Sequence, residues 1–223
     1  MIVWLASYPR SGNTLARQVL RQTMGIETYS RYNDRQDIGA DPELSRAVGH
    51  VKYEGDWPTF REHAAKSEQL FVVKTHHPPE DDGKAIYIVR DGRASLVSFL
   101  HFRRDLRRQD NVDMSTILSG TGAYGSWAGH LDAWQPLTRP NTLLVRFENL
   151  TRDPLAEAAR IAAFLGVEQR DTWVNDLERL HGLAPDFFRF GSNARNIAEL
   201  STADEQIFWS LNTGWMKRLG YRK

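Results

Sequence analysis

The sequence contains no cysteine, and its positive and negative side chains nearly cancel. The absence of cysteine excludes disulfide bonds, thiolate nucleophiles and cysteine-ligated zinc or iron–sulfur sites. With 29 Lys and Arg against 28 Asp and Glu, the chain has no global field that would draw it to nucleic acid or to an anionic membrane. Any anion site must therefore be local, and we expect no nucleic-acid partner.

Long hydrophobic runs are also lacking. The apolar stretch at residues 2–6 is too short for the core of a signal peptide or for a membrane span. We interpret it as a buried strand, and we expect no membrane span and a cytoplasmic location. With 223 residues and 41% hydrophobic content, the chain can bury one sizeable core, so we predict a single domain over residues 1–223.

Four short apolar runs, at residues 2–6, 70–73, 85–89 and 142–145, divide the chain. They are nearly continuous rather than alternating, which is typical of strands buried on both faces of a parallel sheet. Helical patterns lie between them, and one of these begins at Asp153-Pro154 and ends at Gly166. We predict an α/β fold, a three-layer open parallel sheet with helices on both faces. For residues 29–68 we expect loops and short helices that form a lid over a ligand site.

A polar loop at residues 7–14 connects the first run to the first helix. Free backbone N–H groups and the helix dipole converge at such a junction and bind anions. We predict that Arg10 supplies a positive charge and that the cradle is formed by Ser11, Gly12, Asn13 and Thr14. The P-loop of nucleotide hydrolases has a Lys directly after its second Gly. Asn13 occupies that position here, which disfavours hydrolysis of ATP or GTP.

Two further polar segments follow apolar runs. Residues 74–78 read Lys-Thr-His-His-Pro, and a neutral imidazole such as that of His76 can remove the proton of an acceptor hydroxyl. Arg90 follows the third run, with Ser98 eight residues later, and the planar fork of Arg suits phosphate. In a parallel sheet, these segments gather at the carboxyl edge with the loop. Adjacent His residues point in different directions, and no third ligand has suitable spacing, so we predict no metal site.

Together these segments resemble the sulfotransferase family that uses 3′-phosphoadenosine 5′-phosphosulfate (PAPS). Its 5′-phosphosulfate loop reads approximately Tyr-Pro-Lys/Arg-Ser-Gly-Thr-Thr, which residues 8–14 match with Asn13 for the first Thr. Its Lys-Thr-His-x-Pro segment matches residues 74–78. The resemblance implies that His76 is the general base and that Lys74 and Arg10 stabilise the charge on the transferred group. It implies that Arg90 and Ser98 bind the 3′-phosphate.

Other segments match the family less closely. Residues 147–150, Phe-Glu-Asn-Leu, resemble the family's Tyr-Glu-Asp-Leu segment, with the cofactor-binding Phe147 where Tyr is usual. Near residue 190, Arg189 and Gly191 match a loop that closes on the 3′-phosphate, but Phe190 replaces its Lys. Leu15 lies where many relatives have a Trp that stacks on adenine. The resemblance thus leaves open how this chain would hold the base.

The resemblance also implies a function. It implies a fold like that of P-loop nucleoside kinases and transfer of a sulfuryl group from PAPS to a hydroxyl or amine, releasing PAP without a metal. The acceptor would be a small molecule, a lipid or a carbohydrate. Two alternatives stay open: a P-loop small-molecule kinase that uses ATP and magnesium, and a non-catalytic nucleotide-binding protein. The sequence does not indicate an oligomeric state.

Two clusters of residues are interpreted as ordinary structure. The basic run Arg103, Arg104, Arg107 and Arg108 is typical of a solvated face, with binding of an anionic acceptor as the functional alternative. Tyr124, Trp127, Leu131 and Trp134 recur at helical spacing and predict a buried helix face.

Overall fold

The computed structural model describes residues 1–170, 172–189 and 192–223. Within these residues, five strands form one parallel sheet in the order β2-β3-β1-β4-β5. The strands are β1 (Ile2–Ser7), β2 (Thr28–Ser30), β3 (Phe71–Thr75), β4 (Ala85–Val89) and β5 (Thr142–Arg146).

Helices connect the strands. They are α1 (Asn13–Met24), α2 (Pro42–Val48), α3 (Trp57–Lys66), α4 (Gly92–His101), α5 (Met114–Ser119), α6 (Trp127–Trp134), α7 (Phe147–Arg152), α8 (Pro154–Leu165), α9 (Leu177–Leu183), α10 (Asn193–Ala198) and α11 (Thr202–Arg218). A short 3-10 turn spans Ile38–Ala40, and a π-helical segment, Phe102–Leu106, continues α4. In the described residues, no helix has the length and apolarity needed to cross a bilayer.

The sheet is covered on both faces, as predicted. Side chains alternate along each strand, so Trp4 and Tyr87 belong to one apolar cluster, whereas Leu5 and Ile86 belong to another. The first cluster includes side chains of α3, α4, α5, α6 and α11, and the second includes those of α1, α7 and α8. Helices therefore lie on both faces, and the predicted three-layer α/β architecture is confirmed.

Two strand predictions were wrong in detail. The prediction of loops and short helices for residues 29–68 missed β2, whose three residues pair with β3 from Thr28 opposite Val72 to Ser30 opposite Lys74. This edge strand is too short and polar to give a hydrophobic signal. The second apolar run was predicted to end at Val73, but β3 continues through Lys74 and Thr75 because both pair with β1. Lys74 is thus fixed within the sheet and does not lie on a loop.

The predicted ends of α8 are confirmed. The Asp153 side chain accepts a hydrogen bond from the backbone N–H of Ala156, Pro154 occupies the first turn, and Gly166 ends the helix in the left-handed conformation. At the carboxyl edge of the sheet, the segments after β1, β3, β4 and β5 lie side by side. Ligands bind at this edge in open α/β folds.

Candidate active site

A cavity of about 950 Å³ opens at this edge of the sheet. Most of the predicted site residues line it: Arg10, Gly12, Asn13, Thr14, Lys74, His76, Arg90, Ser98, Phe147 and Arg189. Ser11 does not line it, because its hydroxyl is buried against that of Ser95, at 3.3 Å. Gly191 lies outside the described residues.

The loop after β1 is held in an unusual conformation. Arg10 has a φ of 62° and Gly12 a φ of 102°, both in the left-handed region. A Cβ atom at residue 12 would overlap the ring of Phe147, so this turn needs glycine. Gly12 precedes α1, and no described side chain caps this helix N-terminus. Its first N–H groups are therefore oriented for an anion.

Asn13 anchors this loop to the sheet. Its side-chain amide donates hydrogen bonds to the carbonyl oxygen of Leu5 (2.9 Å) and to Oγ of Ser7 (3.3 Å). The side chain is thus turned towards β1. The hydroxyl of the Thr that is usual in the family could not donate two such bonds. This double contact between the loop and β1 therefore depends on Asn13.

His76 has a defined tautomer. Its Nδ1 lies 2.8 Å from the carbonyl oxygen of Ser7. Because a carbonyl oxygen only accepts, Nδ1 has the proton and Nε2 has the lone pair. Burial, followed by the nearby Lys74 charge, lowers the pKa of His76 from 6.5 to about 3. The imidazole is therefore neutral at physiological pH, with Nε2 able to accept a proton.

Lys74 belongs to a buried charge network. Its ammonium donates to Oδ1 of Asp34 at 2.9 Å, and the fully buried Arg17 pairs with Oδ2 of Asp34 at 3.0 Å. The Ser30 hydroxyl donates to the same carboxylate at 2.8 Å. Burial raises the pKa of Asp34, but the charges of Lys74 and Arg17 outweigh burial and hold that pKa well below its usual range. Asp34 is thus ionised and fixes the Lys74 ammonium beside the cavity.

A second corner of the cavity contains arginines. Nε of Arg10 donates to Oγ of Ser98 at 3.3 Å, and Nη1 of Arg90 donates to the backbone oxygen of Arg10 at 3.1 Å. Burial, and then the charges of Arg90 and Arg189, lower the pKa of Arg10 to about 10. Arg10 was predicted to supply the positive charge of the loop after β1. Its guanidinium instead lies with Arg90 and Ser98, the residues predicted to bind the 3′-phosphate. Gathered cations of this kind are stabilised by an anion.

This corner is supported by residues that were not predicted from the sequence. Arg90 donates to Oδ1 of Asn193 at 2.7 Å, and Asn193 donates in turn to Oε1 of Glu148 at 2.7 Å. Oε1 of Glu148 also accepts the backbone N–H of Asp91 at 3.0 Å. Glu148 was part of a matched segment, but its role depends on contacts distant in sequence. No local pattern could have identified Asn193.

In the described residues, no three His, Asp or Glu side chains gather where they could hold a metal ion. That the reaction needs no metal stays a prediction.

Comparison with known proteins identifies the family. A family model described as "Sulfotransferase domain" matches residues 2–181. The chain belongs to the sulfotransferase family. Among curated sulfotransferases, Sulfotransferase 1B1 of Mus musculus is 27% identical over 177 residues, which are 72% of this chain and 57% of that protein. Cytosolic sulfotransferase 1 of Danio rerio is 25% identical over 193 residues, 80% of this chain and 62% of that protein. This sulfotransferase chain spans less than two thirds of the length of these relatives.

Solved structures confirm the sulfotransferase fold. Mouse sulfotransferase SULT7A1, solved in complex with PAP, superimposes with a TM-score of 0.62 at 20% identity, covering 97% of this chain and 84% of that one. Retinol dehydratase, solved with androsterone and PAP, gives a TM-score of 0.65 at 17% identity, covering 97% of this chain and 80% of that one.

Two tyrosines of this sulfotransferase domain contact the predicted base. The hydroxyl of Tyr32 accepts the backbone N–H of His76 at 2.8 Å, and the ring of Tyr124 lies 5.6 Å from that of His76. Both line the cavity. Tyr124 was predicted to lie on a buried helix face with Trp127, but α6 begins at Trp127, and Tyr124 precedes it. The rest of that face is buried as predicted.

The prediction of a solvated basic face was wrong for two of its four arginines. Arg103 and Arg107 line the cavity, whereas Arg104 and Arg108 are exposed. The run lies on the π-helical segment and its end, where the backbone repeat is wider than in an α-helix. Arg103 and Arg107 are four residues apart, as are Arg104 and Arg108, and residues at this spacing share one side of a helix. Which of the two sides faces the cavity depends on tertiary packing.

Proposed function

We propose that this chain transfers a sulfuryl group from PAPS to an acceptor hydroxyl or amine and releases PAP. The observation that carries the proposal is that one cavity contains two anion-binding corners and a neutral imidazole. The loop after β1 and Lys74 form one corner, and Arg10, Arg90 and Ser98 form the other. Two separate anionic groups on one nucleotide, as in PAPS, match two corners better than a single phosphate chain does.

In the proposed reaction, an acceptor oxygen attacks sulfur in line with the bridging oxygen. The new bond is acceptor oxygen to sulfur, and the broken bond is sulfur to the phosphate oxygen, which leaves with the electron pair as part of PAP. The acceptor proton passes to Nε2 of His76. Lys74 and the loop N–H groups stabilise the charge that develops on the leaving side, as preorganised electrostatics do in phosphoryl transfer.

We further propose that adenine is held by apolar side chains in place of the usual Trp. Leu15, Leu150, Pro154 and Trp173 all line the cavity. Trp173 and Leu15 also pack against the same apolar cluster beneath α1 and α8. Trp173 therefore offers an aromatic surface close to the position where Leu15 lacks one.

The proposal includes a small-molecule acceptor and a cytoplasmic location. Retinol dehydratase, a structural neighbour, was solved with androsterone, which supports a small-molecule acceptor. The curated relatives include a cytosolic sulfotransferase, which supports the location.

The first test removes the base. We expect His76→Ala to lower turnover with PAPS by a factor of about 10²–10⁴, the usual contribution of a general base, while PAP affinity changes only a few-fold. The matched control is His77→Ala, whose ring contacts the same two tyrosines, Tyr32 and Tyr124, and should retain most of the activity. A large loss of PAP affinity in His76→Ala would assign this residue to nucleotide binding instead.

The second test asks which nucleotide fits. Calorimetric titration with PAP should show strong binding, with AMP far weaker, because only PAP has the 3′-phosphate. Arg90→Ala should weaken the binding of PAP by about tenfold or more and leave the binding of AMP nearly unchanged. Binding of ATP with magnesium but not of PAP would overturn the proposal and favour a kinase.

A further inference from the structure

Besides His76 and the arginine corner, the cavity is lined by aromatic side chains and a further arginine. The ring of Tyr124 lies 5.6 Å from His76 and 6.3 Å from the ring of Phe99. The guanidinium of Arg103 lies 6.0 Å from the centre of the Phe99 ring. All four side chains line the same cavity. Successive ring contacts therefore connect His76, through Tyr124 and Phe99, to the Arg103 guanidinium.

Arg103 differs from Arg107, the other arginine of this run that lines the cavity. Arg107 pairs with Asp37 at 2.6 Å and is thereby neutralised. Arg103 donates through Nε to Oε1 of Gln109 at 2.7 Å but forms no ion pair with any described carboxylate. A neutral amide partner positions the guanidinium without cancelling its charge. The guanidinium keeps its positive charge, and its planar fork can thus bind an anion.

The charge on the cavity wall exceeds what the donor requires. Its described lining contains seven cationic side chains, Arg10, Arg35, Lys74, Arg90, Arg103, Arg107 and Arg189, and two carboxylates, Asp34 and Asp37. PAPS has about four negative charges near neutral pH. Because the buried Arg17 also shares Asp34, at least one positive charge is left over, and the half-buried Arg103 is one of the lining cations.

Backbone geometry indicates that this placement is specific. Arg103 belongs to the π-helical segment that follows α4. Such segments are rare and occur frequently at functional sites. In this segment Arg103 lines the cavity, and Arg104 is exposed.

We infer that the acceptor combines an aromatic ring with an anionic group, and that Arg103 binds the anionic group. The acceptor hydroxyl would lie at Nε2 of His76, its ring against Tyr124 and Phe99, and its carboxylate or similar anion at Arg103. This inference rests on the proposed sulfuryl transfer and names the acceptor class for it.

The experiment compares three phenols that differ in charge. Protein saturated with PAP is titrated with para-hydroxyphenylpropionate, with its uncharged amide and with the cation tyramine. We expect the carboxylate to bind about tenfold or more tightly than the amide, as a charge-assisted hydrogen bond in a partly buried site provides, and tyramine to bind most weakly. Turnover with PAPS should follow the same order in kcat/KM.

Two variants identify the cation responsible. Arg103→Met should abolish the preference for the carboxylate while the affinity for the amide changes by no more than about twofold. Arg108→Met removes the same charge from an exposed position in the same run and should retain the preference. PAP titration of each variant reports separately on the donor site.

The outcomes separate the two proposals. If PAP does not bind the unmodified protein, the sulfotransferase proposal fails, and this inference fails with it. If PAP binds but the carboxylate binds no better than the amide, or not at all, only the acceptor inference is overturned. A preference that survives Arg103→Met would also overturn it.

Discussion

At the residue scale, the backbone of the proposed base is held by a buried histidine of α6. Nε2 of His130 donates to the carbonyl oxygen of His76 at 3.1 Å, and the hydroxyl of Tyr87 donates to Nδ1 of His130 at 2.7 Å. The indole of Trp134 donates to the next carbonyl, that of His77, at 2.9 Å. The main chain at His76 and His77 is thus fixed by a helix distant in sequence.

Replacement of His130 should therefore affect the chemical step. His130→Leu leaves the Tyr87 hydroxyl and the His76 carbonyl without this partner, at a cost of about 1–3 kcal/mol for each buried group. We expect kcat to fall about tenfold or more because His76 shifts, with PAP affinity nearly unchanged. Denaturant unfolding, steady-state kinetics and PAP titration measure the three quantities.

The control for this prediction is His130→Gln. A glutamine amide nitrogen can occupy the place of Nε2 and donate to the His76 carbonyl. We expect it to recover much of kcat. If kcat fell equally in both variants, and in proportion to their loss of stability, His130 would have only a structural role.

At the element scale, the buried network of Asp34 joins three elements. Arg17 belongs to α1, Ser30 to β2 and Lys74 to β3, and all donate to Asp34. Asn33 and Asp34 both have positive φ values, 54° and 42°. Such strained positions persist only where the surroundings determine them. The network is what positions the Lys74 ammonium at the end of its strand.

We predict strong coupling within this network. Asp34→Asn leaves the fully buried Arg17 without its countercharge and should lower the free energy of unfolding by about 3–5 kcal/mol. Combining it with Arg17→Met removes the orphaned charge, so the double variant should be less destabilised than the sum of the two single variants. Urea unfolding of all four proteins measures the coupling, and strictly additive losses would contradict the prediction.

The elements also show what the sequence could and could not predict. The phosphate loop, His76, Arg90 and Ser98 were predicted because each segment follows a hydrophobic strand, and parallel strands bring such ends together. Asp34 was missed because it follows a three-residue polar strand and has no local motif. That Arg103 lines the cavity was not predicted, because tertiary packing decides which side of its helical segment faces the cavity. What the sequence missed depends on long-range contacts and on backbone geometry.

At the scale of the whole molecule, buried neutral histidines should make stability depend on pH. Burial, and then the charge of Lys74, lowers the pKa of His76 to about 3, and burial lowers that of His130 to about 3. Burial, and then the charge of Arg17, lowers the pKa of His50 to about 4. In the unfolded chain, histidine has a pKa of about 6.5. Below pH 6.5 the unfolded chain therefore binds protons at these histidines that the folded protein does not bind.

The sign of this effect follows from the direction of the shifts. A depressed folded pKa gives a stability that is complete above the unfolded pKa and is lost as pH falls towards the folded pKa. His76 and His130 together can produce a slope of up to about 3 kcal/mol per pH unit between pH 6 and pH 4, and His50 adds to it. We expect urea midpoints to fall steeply over this window and to change little between pH 7 and pH 8.

A variant can separate these histidines from the carboxylates. Asp34 loses its stabilising charge only as pH falls below the ordinary carboxyl range, because its pKa is held low. Acid sensitivity above pH 5 should therefore come mainly from histidine. His130→Gln removes one titrating group and should make the pH dependence of the unfolding free energy between pH 6 and pH 5 shallower by up to about 1.4 kcal/mol per pH unit. An unchanged slope would show that His130 already accepts a proton in the folded state, and that the Tyr87 and His76 contacts do not fix its tautomer.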